Sequence, residues 1–447
     1  MKRSPREIVL NILNEINEKE AYSNISISRN ISNDINYLDE AFIRETVYGT
    51  IENKLYIDWI INKYSKVKNN KIAPIIKDIL RLGIYQIVFM DRIPDSAAVN
   101  ESVKLAKKYG HKGSIGFVNA ILRNISKNKN NIILPEKDIE PIEYISVKYS
   151  HPQWMVKKWL EDYGMDFTES LCIANNERPM LNIRVNTLKI SNKELMDKLI
   201  NKGFNVSEGK YAKDCIIIDN PIRITETEEF KSGLFQIQDE SSMLVAQILS
   251  PKPGDLVLDV CSAPGGKTTH MAQIMENKGL IISRDVHEHK LGLIKENVER
   301  LDIRIAQIEK FDALQIDESL IGKVDCCLVD APCSGLGLIR RKPDIKWHKY
   351  EVDLSQISKL QYDILTNSSK YLKKGGTLVY STCTIQREEN IYLIEKFLEN
   401  NKGFKLSNFE NLVNDEVLKK EAQKGYIELY PNVHKTDGFF ISRMIKI

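Results

Sequence analysis

Two thiols stand where predicted strands run out. Asp330–Gly335 reads DAPCSG and carries Cys333, and Ser381–Thr384 reads STCT and carries Cys383. A third segment, Asp259–Thr269, reads DVCSAPGGKTT and places a glycine-rich turn between a predicted strand and a predicted helix. A cofactor-type turn beside two strand-end thiols points to nucleophilic addition to an electron-poor ring, then methyl transfer to that ring. Carbon-5 of cytosine or uracil is a weak nucleophile. A thiolate adding at carbon-6 makes the ring an enamine that takes a methyl group at carbon-5. A base must then remove the carbon-5 proton, and the thiol must leave. An unperturbed thiol, with a pKa of about 8.5, is only a few per cent ionised at neutral pH, and a solvated loop near helix N-termini raises that fraction. The residues alone leave open whether Cys333 or Cys383 attacks. Isolated cysteines are most often small core residues. That reading applies to Cys172, Cys215 and the adjacent Cys326 and Cys327, which point to opposite faces of a predicted buried strand.

The turn itself comprises Cys261, Ser262, Ala263, Pro264, Gly265, Gly266 and Lys267. A P-loop needs glycine where Cys261 stands, and the dinucleotide fingerprint G-x-G-x-x-G is absent. S-adenosylmethionine is a sulfonium without phosphate, so acidic groups should line its pocket. Asp285 ends the second predicted strand, placed for ribose hydroxyls. Asp312 follows the third, near where adenine would lie, and Asp330 ends the fourth, near the sulfonium and the methionine amine. Any one strand-end aspartate is more simply a turn-former or helix cap; their succession favours the cofactor. Downstream of DAPCSG, the loop Gly335–Trp347 carries Arg340, Arg341, Lys342 and Lys346 with Trp347. Beside a base-accepting pocket it suits phosphate contacts and stacking on RNA. His287 and His289 make no recognisable metal spacing with the cysteines, and no metal is expected.

These segments need a scaffold. From Phe235 onward strands alternate with helices, the pattern of a parallel doubly wound sheet. Strands are predicted at Leu256–Val260, Gly279–Asp285, Arg304–Ile308, Val324–Asp330 and Thr377–Ser381. A terminal strand, Gly438–Lys446, is read as antiparallel at the end of the sheet, and Asn400–Gln423 receives no assignment. Residues 142–240 mix strand and helix, with Leu181–Lys189 and Cys215–Asp219 extended and a capped helix ending at Gly203. Residues 1–130 repeat apolar positions at helical spacing, beginning with Ile8, Val9, Ile12, Leu13 and Ile16 behind Ser4-Pro5. The expected domains are therefore 1–130, all helical; a linker over 131–141; 142–240, α+β; and 241–447, α/β.

A chain of 447 residues exceeds one ordinary core. Its longest apolar runs, such as Leu82–Met90, are too short to span a bilayer, and the basic start runs into an amphipathic helix rather than a signal peptide. Seven cysteines without regular spacing fit a reducing cytoplasm rather than a disulfide scaffold. Residues 1–130 hold 21 Lys/Arg against 14 Asp/Glu, while the remainder holds 43 against 47. A basic front on a near-neutral body fits a polyanion-docking module joined to a catalytic one.

Taken together, DVCSAPGGKTT, DAPCSGLG, RRKPDIKW, STCT and HKTDGFF (His434–Phe440) resemble the RNA cytosine-C5 methyltransferases in order and spacing. SPREIVLNIL, IRETVYGTI, ILRLGIYQIVFMDRIP, AVNESVKLAKKYG and FVNAILRNI resemble the NusB type of RNA-binding domain. The fusion is similar to bacterial 16S rRNA methyltransferases of the RsmB (Sun/Fmu) type. The resemblance implies a NusB-like helical domain, a small RNA-recognition-like subdomain and a Rossmann-like catalytic domain. It implies Cys383 as the nucleophile, Cys333 as the thiol that helps release product, and Asp330 beside them. Cofactor contacts would fall on Cys261–Lys267, Asp285, Asp312 and Asp330. The implied donor is S-adenosyl-L-methionine, and the implied partner is 16S rRNA, naked or in a small-subunit precursor. A cytoplasmic monomer without membrane or metal is expected. DNA cytosine methylation, with Cys333 attacking, and a non-enzymatic RNA-binding scaffold are the alternatives.

Overall fold

The computed structural model describes residues 3–32, 35–219, 223–348 and 351–447, with backbone alone at 351–353. The chain folds into two compact units. One is Met1–Glu177 with Ile339–Lys349; the other is Arg178–Leu338 with Tyr350–Ile447.

The first unit is all helical. Ser4 caps the opening helix, Pro5–Lys19, by accepting the Glu7 N–H, and Val9, Leu10, Ile12 and Leu13 are fully buried on its inner face. Two helices follow in succession, Tyr37–Glu52 and Lys54–Tyr64, hinged at Asn53. The helix Pro74–Phe89 is the most deeply enclosed; Ile79, Leu80, Leu82 and Ile84 have no exposed surface, and Arg81 is buried between Asp58 and Asp78. Asp95–Tyr109 and Lys112–Asn128 complete the helical core. The helices Pro141–Lys148, Gln153–Tyr163 and Met165–Asn175 fall in this unit as well, rather than with the strands that follow them.

The second unit holds two sheets. The small one comprises β1 (Leu181–Val185), β2 (Asn205–Glu208), β3 (Cys215–Asp219) and β4 (Phe235–Ile237). Its order is β2-β3-β1-β4 and every pair is antiparallel. A capped helix, Asn192–Asn201, joins β1 to β2, and a short one, Glu228–Lys231, precedes β4, giving the ferredoxin-like arrangement expected of an RNA-recognition-like subdomain.

The large sheet comprises β5 (Leu256–Asp259), β6 (Leu280–Asp285), β7 (Ala306–Lys310), β8 (Val324–Asp330), β9 (Leu372–Thr382), β10 (Phe404–Leu406), β11 (Tyr426–Leu429) and β12 (Phe439–Lys446). The order is β10-β12-β9-β8-β5-β6-β7, with β11 also paired to β12. From β9 to β7 all pairs are parallel, whereas β12 runs antiparallel to β9. The terminal strand is therefore not at the sheet's end: β10, from the unassigned stretch, pairs outside it. Cys326 packs with Val257 and Leu328 on one face, and Cys327 with Leu258 and Val329 on the other. Strand order reverses between β5 and β8, and in such sheets the crevice outside the carboxyl ends at that point is the binding site.

Candidate active site

The site grows from three strand ends. After β5 the chain turns through Cys261–Gly265 into the helix Gly266–Ile274. Ser262 anchors the turn to the end of β6, its N–H and hydroxyl donating to the Arg284 carbonyl at 2.8 and 3.0 Å. Gly265 has φ +96°, and a Cβ there would sit 3.2 Å from the Ile294 Cα, so both conformation and crowding demand glycine. Asp285 accepts the Ala263 N–H at 3.3 Å and the His287 N–H at 3.0 Å, which seats its carboxylate against the turn. Asp259 is fully buried, accepts the Thr268 hydroxyl at 2.7 Å, and is pushed up to about 7, chiefly by burial and further by Asp330. Burial first, then Asp259, Asp330 and Asp285 in turn, push the Cys261 thiol well above its usual range. The strand-end acids thus act on one spot. A turn with several carboxylates acting on it fits a cationic donor better than a phosphate. Asp312 stands apart from this: it is half-buried, and one carboxylate oxygen accepts the Leu314 N–H at 3.0 Å, a local turn bond.

At the end of β8, Asp330 receives the Lys267 ammonium at 2.6 Å and the Ser381 hydroxyl at 2.8 Å. Lys267 also lies 5.3 Å from the centroid of Phe439, so the HKTDGFF segment forms part of the same wall. Gly438 backs onto Gly337, whose Cβ would lie 1.9 Å from the Gly438 carbonyl oxygen.

Beyond Asp330 and Ser381, which are in register across β8 and β9, the two thiols meet. The Sγ atoms of Cys333 and Cys383 lie 3.2 Å apart, and both residues are half-buried. The hydrogen bond to Cys383 pushes the Cys333 thiol well above its usual range, with burial, Glu389 and Asp330 adding to it. The remaining cysteines differ: burial pushes Cys326 up to about 12, and Cys172, Cys215 and Cys327 further still.

Four residues around this site carry no signal in the reading above. Glu389 and Asn390, in QREEN just after STCT, bond to both thiol loops, and Gln361 bonds to Glu389 and to the Pro332 carbonyl. Arg184 of β1 is buried and donates to the Gly266 carbonyl at 2.7 Å and to Thr269 Oγ1 at 2.9 Å, tying the small sheet to the first turn of the cofactor helix. The run of polar residues following a strand-end thiol was the available clue for Glu389 and Asn390.

The basic loop is held within the helical unit, to which Ile339–Lys349 belongs. Trp347, expected to stack on RNA, donates its indole N–H to the Ile51 carbonyl at 2.9 Å and packs against the helical core. Lys346 is fully buried and donates to the Glu52 carbonyl at 2.9 Å. Asp344, also fully buried, accepts the Ser23 hydroxyl at 2.6 Å. Arg340 and Arg341 are half-buried and Lys342 is exposed. Among the described residues, no group of three or more His, Cys, Asp or Glu could hold a metal ion, and no helix is long and apolar enough to cross a membrane.

Comparison with known proteins gives a consistent picture. The family model described as 16S rRNA methyltransferase RsmB/F matches residues 246–445, the NusB family matches 3–127, and an RsmF/B-like ferredoxin-like domain matches 151–225. A protein of Bacillus subtilis (strain 168), named probable ribosomal RNA small subunit methyltransferase B, is 39% identical over 451 residues, covering 100% of this chain and 99% of the relative. The ribosomal RNA small subunit methyltransferase B of Photorhabdus laumondii is 30% identical over 442 residues, covering 99% and 98%. Among solved structures, PH0851 matches with a TM-score of 0.82 and 26% identity over 100% of both chains. A methyltransferase homologue from Pyrococcus horikoshii matches with a TM-score of 0.60 and 32% identity over 69% of this chain and 99% of its own.

Proposed function

The chain belongs to the ribosomal RNA small subunit methyltransferase B family, and from that premise we propose that it methylates carbon-5 of a cytosine in 16S rRNA through a transient Cys383–cytosine bond. The observation that carries this reading is the pair of thiols 3.2 Å apart at the ends of adjacent parallel strands.

The donor is S-adenosyl-L-methionine, which supplies an electrophilic methyl group on a sulfonium. Cys261–Lys267 and Asp285 are the residues to hold it, with Asp330 near its charge. Asp312 is the outermost candidate, for the adenine. The ionised Cys383 Sγ adds to carbon-6 of the ring, and carbon-5 takes the methyl group. Cys333 gives its own proton to ring N3 during the addition and, as the thiolate so formed, takes the proton from carbon-5. The freed electron pair re-forms the carbon-5–carbon-6 double bond, the Sγ–carbon-6 bond breaks with its electrons returning to Cys383, and N3 releases its proton to water. Asp330, fixed by Lys267 and Ser381, is the group to orient the ring. The target base must be unpaired or turned out of its stack to reach two half-buried thiols. RNA contacts fall to the NusB-like unit, with Arg340, Arg341 and Lys342 as its contribution from the crossover segment.

The test is labelled methyl transfer from S-adenosylmethionine to 16S rRNA, with methylcytosine located by mass mapping. Cys383→Ala should reduce transfer to background, and full activity in that variant rejects the assignment. Offering DNA in the same assay decides the DNA alternative. Cofactor binding without transfer to any RNA would favour a scaffold.

A further inference from the structure

The two thiol loops leave adjacent strands and are joined directly where the Gly337 N–H donates to the Cys383 carbonyl at 3.0 Å; the residues that carry the sulfurs are then fixed by side chains from elsewhere. Cys333 is fixed from both sides. The Pro332 carbonyl accepts Gln361 Nε2 at 3.0 Å, and the Ser334 N–H and hydroxyl donate to the Glu389 carboxylate at 2.9 and 2.5 Å. Cys383 is fixed from both sides too. The Thr382 hydroxyl donates to Asn390 Oδ1 at 2.6 Å, and Asn390 Nδ2 donates to the Thr384 carbonyl at 3.0 Å. The Ser334 and Thr384 hydroxyls close the bridge at 2.8 Å. Glu389 and Asn390 are adjacent in the chain, and the Glu389 carbonyl accepts the Tyr380 hydroxyl of β9 at 2.7 Å. One loop cannot shift without pulling on the other.

Glu389 is fully buried; among the described residues its carboxyl group accepts from the Ser334 N–H and hydroxyl and from Gln361 Nε2 at 2.9 Å, none of them basic. A buried carboxylate is costly, and packing alone would be served as well by an apolar residue. What an apolar residue could not do is receive three donors from two directions. We propose that Glu389 and Asn390 are positioning residues that set the Cys333–Cys383 separation, so that one base can reach both thiols in turn. This rests on the two-thiol reading above.

Two measurements test it, one independent of that reading. Diamide takes two hydrogens from a thiol pair and leaves a disulfide, at a rate governed by how closely the sulfurs are held. In the full chain, a Cys333–Cys383 disulfide should form readily. It should form at least about 10-fold more slowly in Glu389→Ala and Asn390→Ala, with Glu389→Gln between because one acceptor oxygen remains. Continued protection of Cys172, Cys215, Cys326 and Cys327 from a thiol reagent confirms that the variants are folded. In the methyl-transfer assay the same variants should lower kcat about 10- to 100-fold, with KM for S-adenosylmethionine unchanged. Disulfide formation at the wild-type rate in both alanine variants overturns the proposal, as does an unchanged kcat. If wild-type protein methylates no RNA, the function reading fails, and the disulfide rates still decide whether the clamp exists.

Discussion

The Cys333 loop and the basic segment that follows it are close in sequence and opposite in design. In the first, the surroundings spend their polar groups on the backbone and leave the sulfur free to react: Glu389 and Gln361 bond to residues on either side of Cys333. In the second, the chemically attractive side chains are themselves consumed. Asp344 holds Ser23, Lys346 holds the Glu52 carbonyl, and Trp347 holds the Ile51 carbonyl. A charge or an aromatic ring in a sequence is available to a ligand only if the fold does not use it first. A thiol at a strand end is far less open to that competition, because few groups bond to sulfur.

The sharpest way to press this contrast is on the thiol side. Cys333→Ala should accumulate a covalent protein–RNA adduct, visible on a denaturing gel, while turnover falls about 100-fold as base-assisted release is lost. On the other side, Asp344→Ala should leave catalytic chemistry in place but strip the Ser23 N–H and hydroxyl of their acceptor. The helical unit should lose about 3 kcal/mol, read from urea unfolding. If Asp344→Ala costs nothing, the segment is not embedded as described.

Asp259 offers a pH test of the same principle, a polar group used inside the fold. Its folded pKa of about 7 lies above the ordinary carboxylate value, so the folded state keeps a proton the unfolded chain has lost. Its contribution to stability is present at low pH and declines as pH rises from about 4 to about 7. Asp259→Asn should remove that decline, leaving the variant about 4 kcal/mol more favourable relative to wild type at pH 7.5 than at pH 4 in urea titrations. A constant difference across that range contradicts it. The smallest effect belongs to Lys342, an exposed cation of the segment. Lys342→Ala should weaken rRNA binding a few-fold and reduce the salt slope by about 1, with no change in stability.

The parts of the fold legible in the sequence were those with strong periodicity or punctuation. β8 matches its predicted span, and β5 and β6 differ by one residue, because apolar runs end there in aspartate and turn residues. β9 begins at Leu372 rather than Thr377; its first turns carry Lys373, Lys374 and two glycines, which hide a strand. β10 and β11 were illegible because FKL and YIEL are short and their stability comes from pairing with β12. The thiols and the glycine turn stood out because their chemistry needs rare residue types at strand ends. Glu389, Asn390 and Arg184 did not, because a buried polar residue looks like a surface one until its partners are in place. Lys346 and Trp347 are the reverse case: side chains that read as ligand contacts in the sequence bond to backbone carbonyls of the helical unit.

The account stands on the identity of one sulfur. An rRNA fragment carrying 5-fluorocytosine at the mapped site cannot lose a carbon-5 proton, so the adduct should persist after methyl transfer. Peptide mapping by mass spectrometry should then find the methylated nucleotide on Cys383. Finding it on Cys333, or finding methyl transfer with no adduct on either thiol, would contradict the account.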